Sequence, residues 1–388
     1  MKKLQFFFVV SFLFTQFSIA QSARDSSRLR ISLLTCTPGA ELYSVFGHSA
    51  LRIQDSVAGT DIVYNYGTFD FNDPDFYTKF IRGKLLYFVS QVSYFDFIYE
   101  YQYFKRGVVE QVLQLSQEEK KKIQKDLFNN VREENRFYKY DFLFDNCTTR
   151  LRDFIFKTHT ENAFDPPAVV ETNKTFRDHL RSYLDRAEMQ WTALGIDFLL
   201  GLDADKPMTI SESMFLPDYL YSGVKKAVTA SEKLEKEEII AVKDTQPMPV
   251  KSSFIISPIF VIALLSVLLL MPSLFKSDNN YLRNLSDKIL FIVTGMLGLF
   301  LLFMWFGTDH QSFSKNLNLI WAFPLNVYFA YKLNSQNKSI NITFKVLSIL
   351  IILLIALSMI YAGLINSSLY SLMLLLSFRY WMLSKKLS

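Results

Sequence analysis

The sequence predicts two unlike parts, an α+β domain in the first two thirds of the chain and an all-α transmembrane bundle in the last third. Up to about residue 228, short stretches of alternating polar and apolar residues are interspersed with amphipathic helical patterns. Charged residues then become sparse: none lies between Lys251 and Lys276, and none between Lys288 and Asp309. Each gap is long enough for a helix to cross a bilayer.

The first twenty residues have the pattern of a secretory signal peptide. Lys2 and Lys3 precede a Phe-rich apolar stretch, and the small residues Ser18 and Ala20 lie near a plausible cleavage site before Gln21. An uncleaved anchor is the alternative. Both interpretations place the residues that follow outside the inner membrane if the cell is bacterial.

Composition limits the functional classes. The 388 residues carry a net charge of +5, but the basic residues are spread among acidic ones, so we expect no nucleic-acid partner. No Cys or His cluster has zinc-site spacing and no glycine-rich phosphate loop occurs, so we expect neither a metal nor a cofactor. A disulfide between the two cysteines, Cys36 and Cys147, is conceivable outside the cytoplasm and would remove either one as a nucleophile.

Cys147 is the leading candidate for a catalytic residue. Asp145 and Asn146 are both good N-cap residues, and Leu151 and Ile155 follow at helical spacing, so Cys147 falls in the first turn of a predicted helix. Free backbone N–H groups and the positive end of the helix dipole stabilise a thiolate there and can also hold an oxyanion. Cys147 is therefore a candidate nucleophile.

A nucleophilic cysteine needs a base, and the chain has only four histidines. His159 lies twelve residues further along the same predicted helix, about 18 Å from the thiol at 1.5 Å per residue. His179 falls in a charged amphipathic stretch, and His310 lies between two apolar segments. His48 remains, at the start of a stretch whose alternation predicts a half-buried strand. A Cys on a helix terminus facing a His on a strand is a general nucleophile and base arrangement.

Further residues are assigned by their position near this pair. Asn65 or Tyr66, on the next predicted strand, is expected to orient the imidazole. Cys36, Glu41 and Tyr43 lie between the first predicted strand and His48, where they are expected to line the cleft and contact substrate.

Arg150 follows the candidate nucleophile by three residues. It is expected either to lower the pKa of the thiol and hold a phosphate, or simply to pair with Asp145 or Asp153. Cys36 is a second conceivable nucleophile, but it precedes a Pro-Gly turn and lacks a helix dipole.

The segment 76–104 is unusually rich in Phe and Tyr. Such density is usual in a core, but it also suits an amphipathic rim that rests on lipid headgroups. Tyr94 to Phe104 is the piece that we assign most readily to the membrane surface.

The apolar third of the chain predicts five transmembrane helices. The two uncharged gaps give the first two, and Phe313 to Tyr331 gives a weaker third span interrupted by asparagines and a proline. Val346 to Phe378 is too long for one untilted helix, and the polar turn at Gly363 divides it into two.

The basic residues indicate the orientation of these spans. With a periplasmic N-terminal domain, the outer loops contain Lys315 alone, and the other basic residues face the cytoplasm, as the positive-inside rule requires. These are Lys276, Arg283, Lys288, Lys332, Lys338, Lys345, Arg379, Lys385 and Lys386. We therefore divide the chain into a signal peptide (1–20), a periplasmic catalytic domain (21–228), a linker (229–250) and a membrane domain (251–388) in the inner membrane.

Four motifs in order carry a resemblance to a known family. They are residues 33–39 (LLTCTPG), 43–50 (YSVFGHSA), 64–71 (YNYGTFDF) and 145–150 (DNCTTR), followed by a multi-span tail. Together they resemble the Lnb lipoprotein N-acyltransferases of Bacteroides-type bacteria. The order of His48 before Cys147 is also similar to that of permuted papain-like enzymes such as lecithin:retinol acyltransferase, which is an analogy at the level of fold.

The resemblance implies an enzyme that moves an acyl chain from a phospholipid donor to the α-amino group of a diacylated lipoprotein acceptor through a thioester on Cys147, with His48 as base. It implies no cofactor. Two other classes remain open from the residues alone. One is a papain-like cell-wall peptidase or amidase, and the other is a non-catalytic envelope module with a Cys36–Cys147 disulfide.

Overall fold

The structure is a computed structural model that describes residues 29–158, 174–228, 232–274, 281–333, 337–361 and 363–385. The predicted signal peptide and His159 lie outside these residues.

The N-terminal domain is built on one antiparallel sheet of seven strands in the order β6-β4-β3-β2-β1-β5-β7. The three strands predicted before, at and after His48 are all present, as β1, β2 and β3. The strands are β1 (Leu29–Cys36), β2 (His48–Asp55), β3 (Thr60–Thr68), β4 (Leu86–Ser93), β5 (Val108–Leu113), β6 (Phe137–Lys139) and β7 (Glu235–Val242).

Helices cover both faces of this sheet, and their apolar faces supply the two cores. α2 (Tyr94–Tyr103) packs Phe97 and Tyr101 on one face. The other face carries α3 (Gln117–Asn130), α4 (Cys147–Thr158) and α8 (Pro217–Lys226), whose apolar residues meet β1 and β2. The remaining helices of this domain are α1 (Phe76–Ile81), α5 (Phe176–Arg186), α6 (Gln190–Leu199) and α7 (Ile210–Ser213).

This architecture confirms an α+β domain, and a capping box of Ser116 and Glu119 starts α3. The linker predicted over 229–250 is wrong over Glu235–Val242, which forms β7 and pairs with β5. β7 is an edge strand whose charged residues are mostly exposed, as is usual for strands that avoid pairing with other chains. Its charge made it resemble a linker.

Among its described residues, the C-terminal part contains four apolar helices. They are α9 (Pro258–Leu274), α10 (Tyr281–Phe306), α12 (Lys338–Ile360) and α13 (Tyr370–Lys385). Of these, α10 and α12, with 26 and 23 residues, are long and apolar enough to cross a membrane, whereas α9 is shorter at 17 residues. The predicted division of residues 346–378 at Gly363 is present, because α12 ends at Ile360 and α13 begins at Tyr370.

The third predicted span is not one continuous helix. Residues 311–331 form two 3₁₀ turns, at Gln311–Phe313 and Leu317–Ile320, and then α11 (Asn326–Ala330). Gly295 and Gly298 of α10 let this irregular backbone pass closely, since a Cβ on either would lie within 2.5 Å of the backbone of Val327 or Ala322. The segment is therefore packed into the bundle rather than coiled as an independent helix.

Arg379 was expected among the basic residues that face the cytoplasm. It lies inside α13 and forms a buried bidentate ion pair with Asp287 of α10, at 2.6 Å from Nε to Oδ1. Buried charges are normally paired in this way because their desolvation is costly.

Three parts of the membrane domain contact the α+β domain. Before α9, the carbonyl of Ile256 accepts a hydrogen bond from Trp191. After α10, Asp309 pairs with Lys139 at 2.8 Å. After α12, the carbonyl of Gly363 accepts a hydrogen bond from Arg181 at 2.8 Å. Alternate ends of the apolar helices therefore meet the N-terminal domain on one side of the bundle.

Candidate active site

The start of α4 is fixed by the side chain of Asn146, which is the N-cap that the structure selects over Asp145. Its Oδ1 accepts hydrogen bonds from the backbone N–H groups of Thr148 and Thr149 at 2.8 and 2.9 Å. Its Nδ2 donates to the carbonyls of Phe142 and Phe215 at 2.8 and 3.0 Å. Asn146 thus satisfies two orphan donors of the helix and ties its first turn to the neighbouring chain.

This cap places Cys147 at the first position of α4, facing the beginning of β2. The imidazole of His48 and the backbone N–H of Ser49 both lie close enough to the thiol to lower its pKa. The hydroxyl of Thr148 lies 3.8 Å from Sγ and 3.1 Å from the hydroxyl of Ser49, which joins helix and strand on the buried side.

His48 lies between Cys147 and Asn65. Asn65 Oδ1 accepts a hydrogen bond from His48 Nε2 at 3.2 Å, so Nδ1 is the ring nitrogen left for the thiol. The amide oxygen fixes the tautomer and the plane of the imidazole. The structure therefore brings a nucleophile, a base and an orienting residue together in space, with the base in the middle.

Each member of the pair shifts the pKa of the other in the direction that favours the charged form of both: the pKa of Cys147 is lowered and that of His48 is raised. Burial favours the neutral thiol, but the imidazole of His48 and the hydrogen bonds from His48, Ser49 and Thr148 outweigh it and lower the pKa of Cys147 below 9.0. Burial likewise opposes a charge on His48, yet the Cys147 thiolate and the hydrogen bonds to Cys147 and Asn65 raise its pKa above 6.5. The geometry thus favours a thiolate-imidazolium pair.

Tyr66 does not orient the imidazole, and the prediction that allowed it is wrong. Its ring packs against Tyr138 and Phe154 in the core beneath α4, with centroid distances of 6.3 and 5.9 Å. Its buried hydroxyl has no hydrogen-bond partner among the described residues, and burial raises its pKa. Successive residues of a strand point to opposite faces, so only Asn65 of the two meets His48.

Cys36 lies next to His48 on the neighbouring strand but is fully buried, and both cysteines are free thiols. Burial raises the pKa of Cys36 to about 12, which outweighs its hydrogen bond with Tyr101. A buried neutral thiol neither contacts substrate nor attacks it. The structure therefore contradicts both the substrate-binding role of Cys36 and the Cys36–Cys147 disulfide.

Glu41 and Tyr43 lie in the exposed turn that joins β1 to β2, where the carbonyl of Glu41 accepts hydrogen bonds from Ser44. Among the described residues, no hydrogen bond, ion pair or ring contact joins either side chain to the Cys147–His48 pair. Arg150 points along α4 to Asp145, forming a bidentate pair at 2.6 and 2.8 Å, and stacks over Tyr138. The structure therefore agrees with the second alternative for Arg150, in which the guanidinium pairs with Asp145.

Two positions that sequence reasoning missed shape the site. Gly67 has a φ of +86°, and a Cβ there would lie 3.6 Å from the Cβ of Cys147 and 3.4 Å from the ring of Tyr140. The glycine allows β3 to pass close beneath the thiol, next to the irregularity in its pairing with β4. The second position is Ser49, whose backbone N–H lowers the pKa of the thiol. Its place directly after His48 is the feature of the sequence that could have indicated this role.

The other described histidines are committed elsewhere. His179 Nδ1 lies 2.6 Å from the hydroxyl of Tyr219, and His310 Nε2 lies 3.1 Å from the carbonyl of Phe80. His48 is therefore the histidine that the described structure places at Cys147.

Two family models match the chain. Residues 16–176 match the Lnb N-terminal periplasmic domain, and residues 250–387 match the Lnb transmembrane domain. The chain belongs to the Lnb family. The first match contains His48, Asn65 and Cys147, and the second contains all the apolar helices from α9 to α13. An Lnb protein of this kind has its N-terminal domain in the periplasm and its C-terminal domain in a membrane. We found no match among curated proteins or solved structures.

Proposed function

We propose that this Lnb protein is a thiol acyltransferase that moves an acyl chain from a membrane phospholipid to the free α-amino group of a diacylglyceryl-cysteine lipoprotein. The single observation that carries the proposal is the Cys147–His48–Asn65 arrangement on a domain joined directly to a membrane bundle. The resemblance of the site motifs to lipoprotein N-acyltransferases supplies the substrate classes.

In the first half-reaction, the Cys147 thiolate attacks the carbonyl carbon of a phospholipid ester while His48 holds the thiol proton. The tetrahedral oxyanion forms at the start of α4, where the backbone N–H of Cys147 has no acceptor among the described residues and the helix dipole favours negative charge. The C–O bond then breaks, His48 protonates the departing alkoxide, and a lysophospholipid leaves a thioester on Cys147.

In the second half-reaction, the amine of the lipoprotein attacks the thioester carbonyl and transfers a proton to His48. The C–S bond breaks, an amide forms, and the Cys147 thiolate returns beside protonated His48. Asn65 holds the imidazole in place for both proton transfers. Water must be kept from the thioester in the interval, which a site open toward lipid favours.

The helix that bears Cys147 packs across a strand that bears His48, which supports a permuted papain-like arrangement as part of this proposal. A cell-wall peptidase or amidase would use the same residues on a polar substrate. The contacts of three membrane-domain segments with the catalytic domain favour a lipid substrate instead.

The test is mass spectrometry of a diacylated lipopeptide after incubation with the full-length protein in phospholipid, compared with peptidoglycan fragments. We expect the lipopeptide to gain one acyl chain with wild type and with Cys36→Ala, but not with Cys147→Ala. Retained transfer by Cys147→Ala would overturn the assignment of the nucleophile. Cleavage of peptidoglycan fragments without acylation of the lipopeptide would replace the acyltransferase with the hydrolase.

A further inference from the structure

An exposed aromatic segment projects from the site end of the sheet, between β3 and β4. α1, which is described in full, has no buried residue. Several large apolar side chains of this segment are exposed, namely Phe71, Tyr77, Phe80, Ile81 and Leu86. A soluble surface rarely carries so many together, so the segment is expected to have a partner.

Contacts with the residues after α10 indicate where this segment lies relative to the membrane. The N–H of Asp309 donates to the carbonyl of Arg82 at 2.9 Å, and His310 Nε2 lies 3.1 Å from the carbonyl of Phe80. Both residues come directly after the apolar helix α10, which ends at Phe306. α1 therefore lies at the membrane interface if α10 spans the bilayer, and its exposed Arg82 and Lys84 can meet lipid phosphates there.

A row of aromatic rings leads from α1 toward the thiol. Phe76 lies 5.8 Å from Phe69, Phe69 lies 5.3 Å from Tyr87, and Tyr87 stacks on Tyr140 at 4.4 Å. Tyr140 and Cys147 both border the backbone of Gly67, since a Cβ there would touch each of them. The rings thus make a continuous apolar wall between the interface and Cys147.

We propose that this wall, residues 69–87 together with Tyr140, is the acyl-chain site of the donor phospholipid. One acyl chain leaves the outer leaflet beside α1 and lies along the rings, which places its ester carbonyl at Cys147 and its phosphate at the interface near Arg82 and Lys84. The inference rests on the proposed function for its substrate, and it adds the residues that bind the substrate. α1 is thereby added to the segment from Tyr94 to Phe104, whose place at the membrane surface stays a prediction.

The test uses the full-length protein in vesicles of phosphatidylethanolamine and phosphatidylglycerol with a trace of phospholipid that bears a diazirine on one acyl chain. After irradiation and digestion, we expect label within residues 69–87 and around Tyr140, as well as in the apolar helices. Label confined to the apolar helices would overturn the proposal. A diacylated lipopeptide with the same diazirine forms a second arm, and its preferential labelling of 69–87 would assign the wall to the acceptor and overturn the donor assignment.

Cys147→Ala separates this proposal from the proposed function. We expect the variant to be labelled as strongly as wild type, because the wall binds the chain without the thiol. Full labelling of the wall in a wild-type protein that transfers no acyl chain would refute acyl transfer but support the lipid site. Labelling that disappears with Cys147→Ala would contradict a preformed wall.

A pair of variants provides a matched control. Tyr77 and Phe95 are both 77% exposed. Phe95, however, lies at the start of α2, after the end of β4 that is opposite to α1. We expect Tyr77→Ser combined with Phe80→Ser to reduce label at Tyr140 by about tenfold, since two rings lose apolar contact with lipid. Phe95→Ser should leave it unchanged. Equal effects of the two changes, or none from the double variant, would refute the proposal.

Discussion

Replacing Asn65 by Ala removes the hydrogen bond that orients His48, and its effect follows from the geometry of the site. Asn65 Oδ1 accepts from His48 Nε2 at 3.2 Å, and this bond helps to raise the pKa of His48. A hydrogen bond to a charged group contributes about 1.5–3 kcal/mol, which corresponds to about 10–150-fold in rate if it is made in the transition state.

The pKa of the nucleophile responds to the same change. Without Asn65, the imidazolium is less favoured, so it stabilises the Cys147 thiolate less and the pKa of Cys147 moves upward toward 9.0. The assay is the rate of alkylation by iodoacetamide as a function of pH, in a Cys36→Ala background that leaves one thiol. The acid limb of the profile should move to higher pH in Asn65→Ala.

Two controls separate the loss of the hydrogen bond from a general disturbance of the site. Tyr66→Phe removes a hydroxyl that has no hydrogen-bond partner among the described residues, so it should leave both the profile and acyl transfer unchanged. Thermal unfolding of each variant shows whether the fold is retained. An Asn65→Ala profile that coincides with the parent profile, in a folded protein, would refute the orienting role.

Three further predictions follow from other contacts. In Cys147→Ser the pKa of His48 should fall, because the thiolate is its largest stabilising partner, and imidazole chemical shifts followed by NMR against pH measure the change. Asn146→Ala should lower the free energy of unfolding by about 2–4 kcal/mol, because it removes a helix cap and leaves buried carbonyls unpaired. Chemical denaturation of the solubilised protein measures this change, and an unchanged free energy would contradict the capping role. Arg379→Met alone should destabilise the bundle by about 3–5 kcal/mol through the uncompensated charge of Asp287, whereas adding Asp287→Leu should restore much of the loss in the same assay.

Local patterns predicted the parts of the site that depend on neighbours in sequence. The cap residues before Cys147 predicted a helix start because capping is a contact over two or three residues. The strand at His48 was likewise visible from alternation. The choice between Asn65 and Tyr66 was not visible, because it depends on which face of the sheet carries the His48 side chain, and the pairing of β3 is irregular near Gly67.

The errors arose where contacts join distant parts of the chain. β7 looks like a charged linker by itself, and only its pairing with β5, more than a hundred residues earlier, makes it a strand. The third span lacks a continuous helix because its polar residues have partners elsewhere: Asn316 donates to the carbonyls of Phe198 and Leu199 at 2.8 and 2.9 Å. Neither partner is within reach of a local sequence pattern.

The segment from Lys139 to Cys147 connects the membrane domain with the nucleophile. Lys139 pairs with Asp309 after α10, and Asp141 exchanges two backbone hydrogen bonds with Asp145, two residues before the thiol. The ion pair alone cannot set this geometry, because Lys139 is 66% exposed and a solvent-screened pair contributes little.

The position of Cys147 relative to the membrane must therefore rest on the sum of the interdomain contacts, including those of α6 and of the backbone at Arg82. Lys139→Ala should leave acyl transfer nearly unchanged, within about threefold of wild type. Arg181→Ala should reduce it more, because Arg181 is half-buried and joins Asp197 to the carbonyl of Gly363. Measuring transfer to the diacylated lipopeptide by both variants tests this ranking. A larger loss from Lys139→Ala than from Arg181→Ala would show that the exposed pair, and not the distributed interface, holds the thiol at the lipid surface.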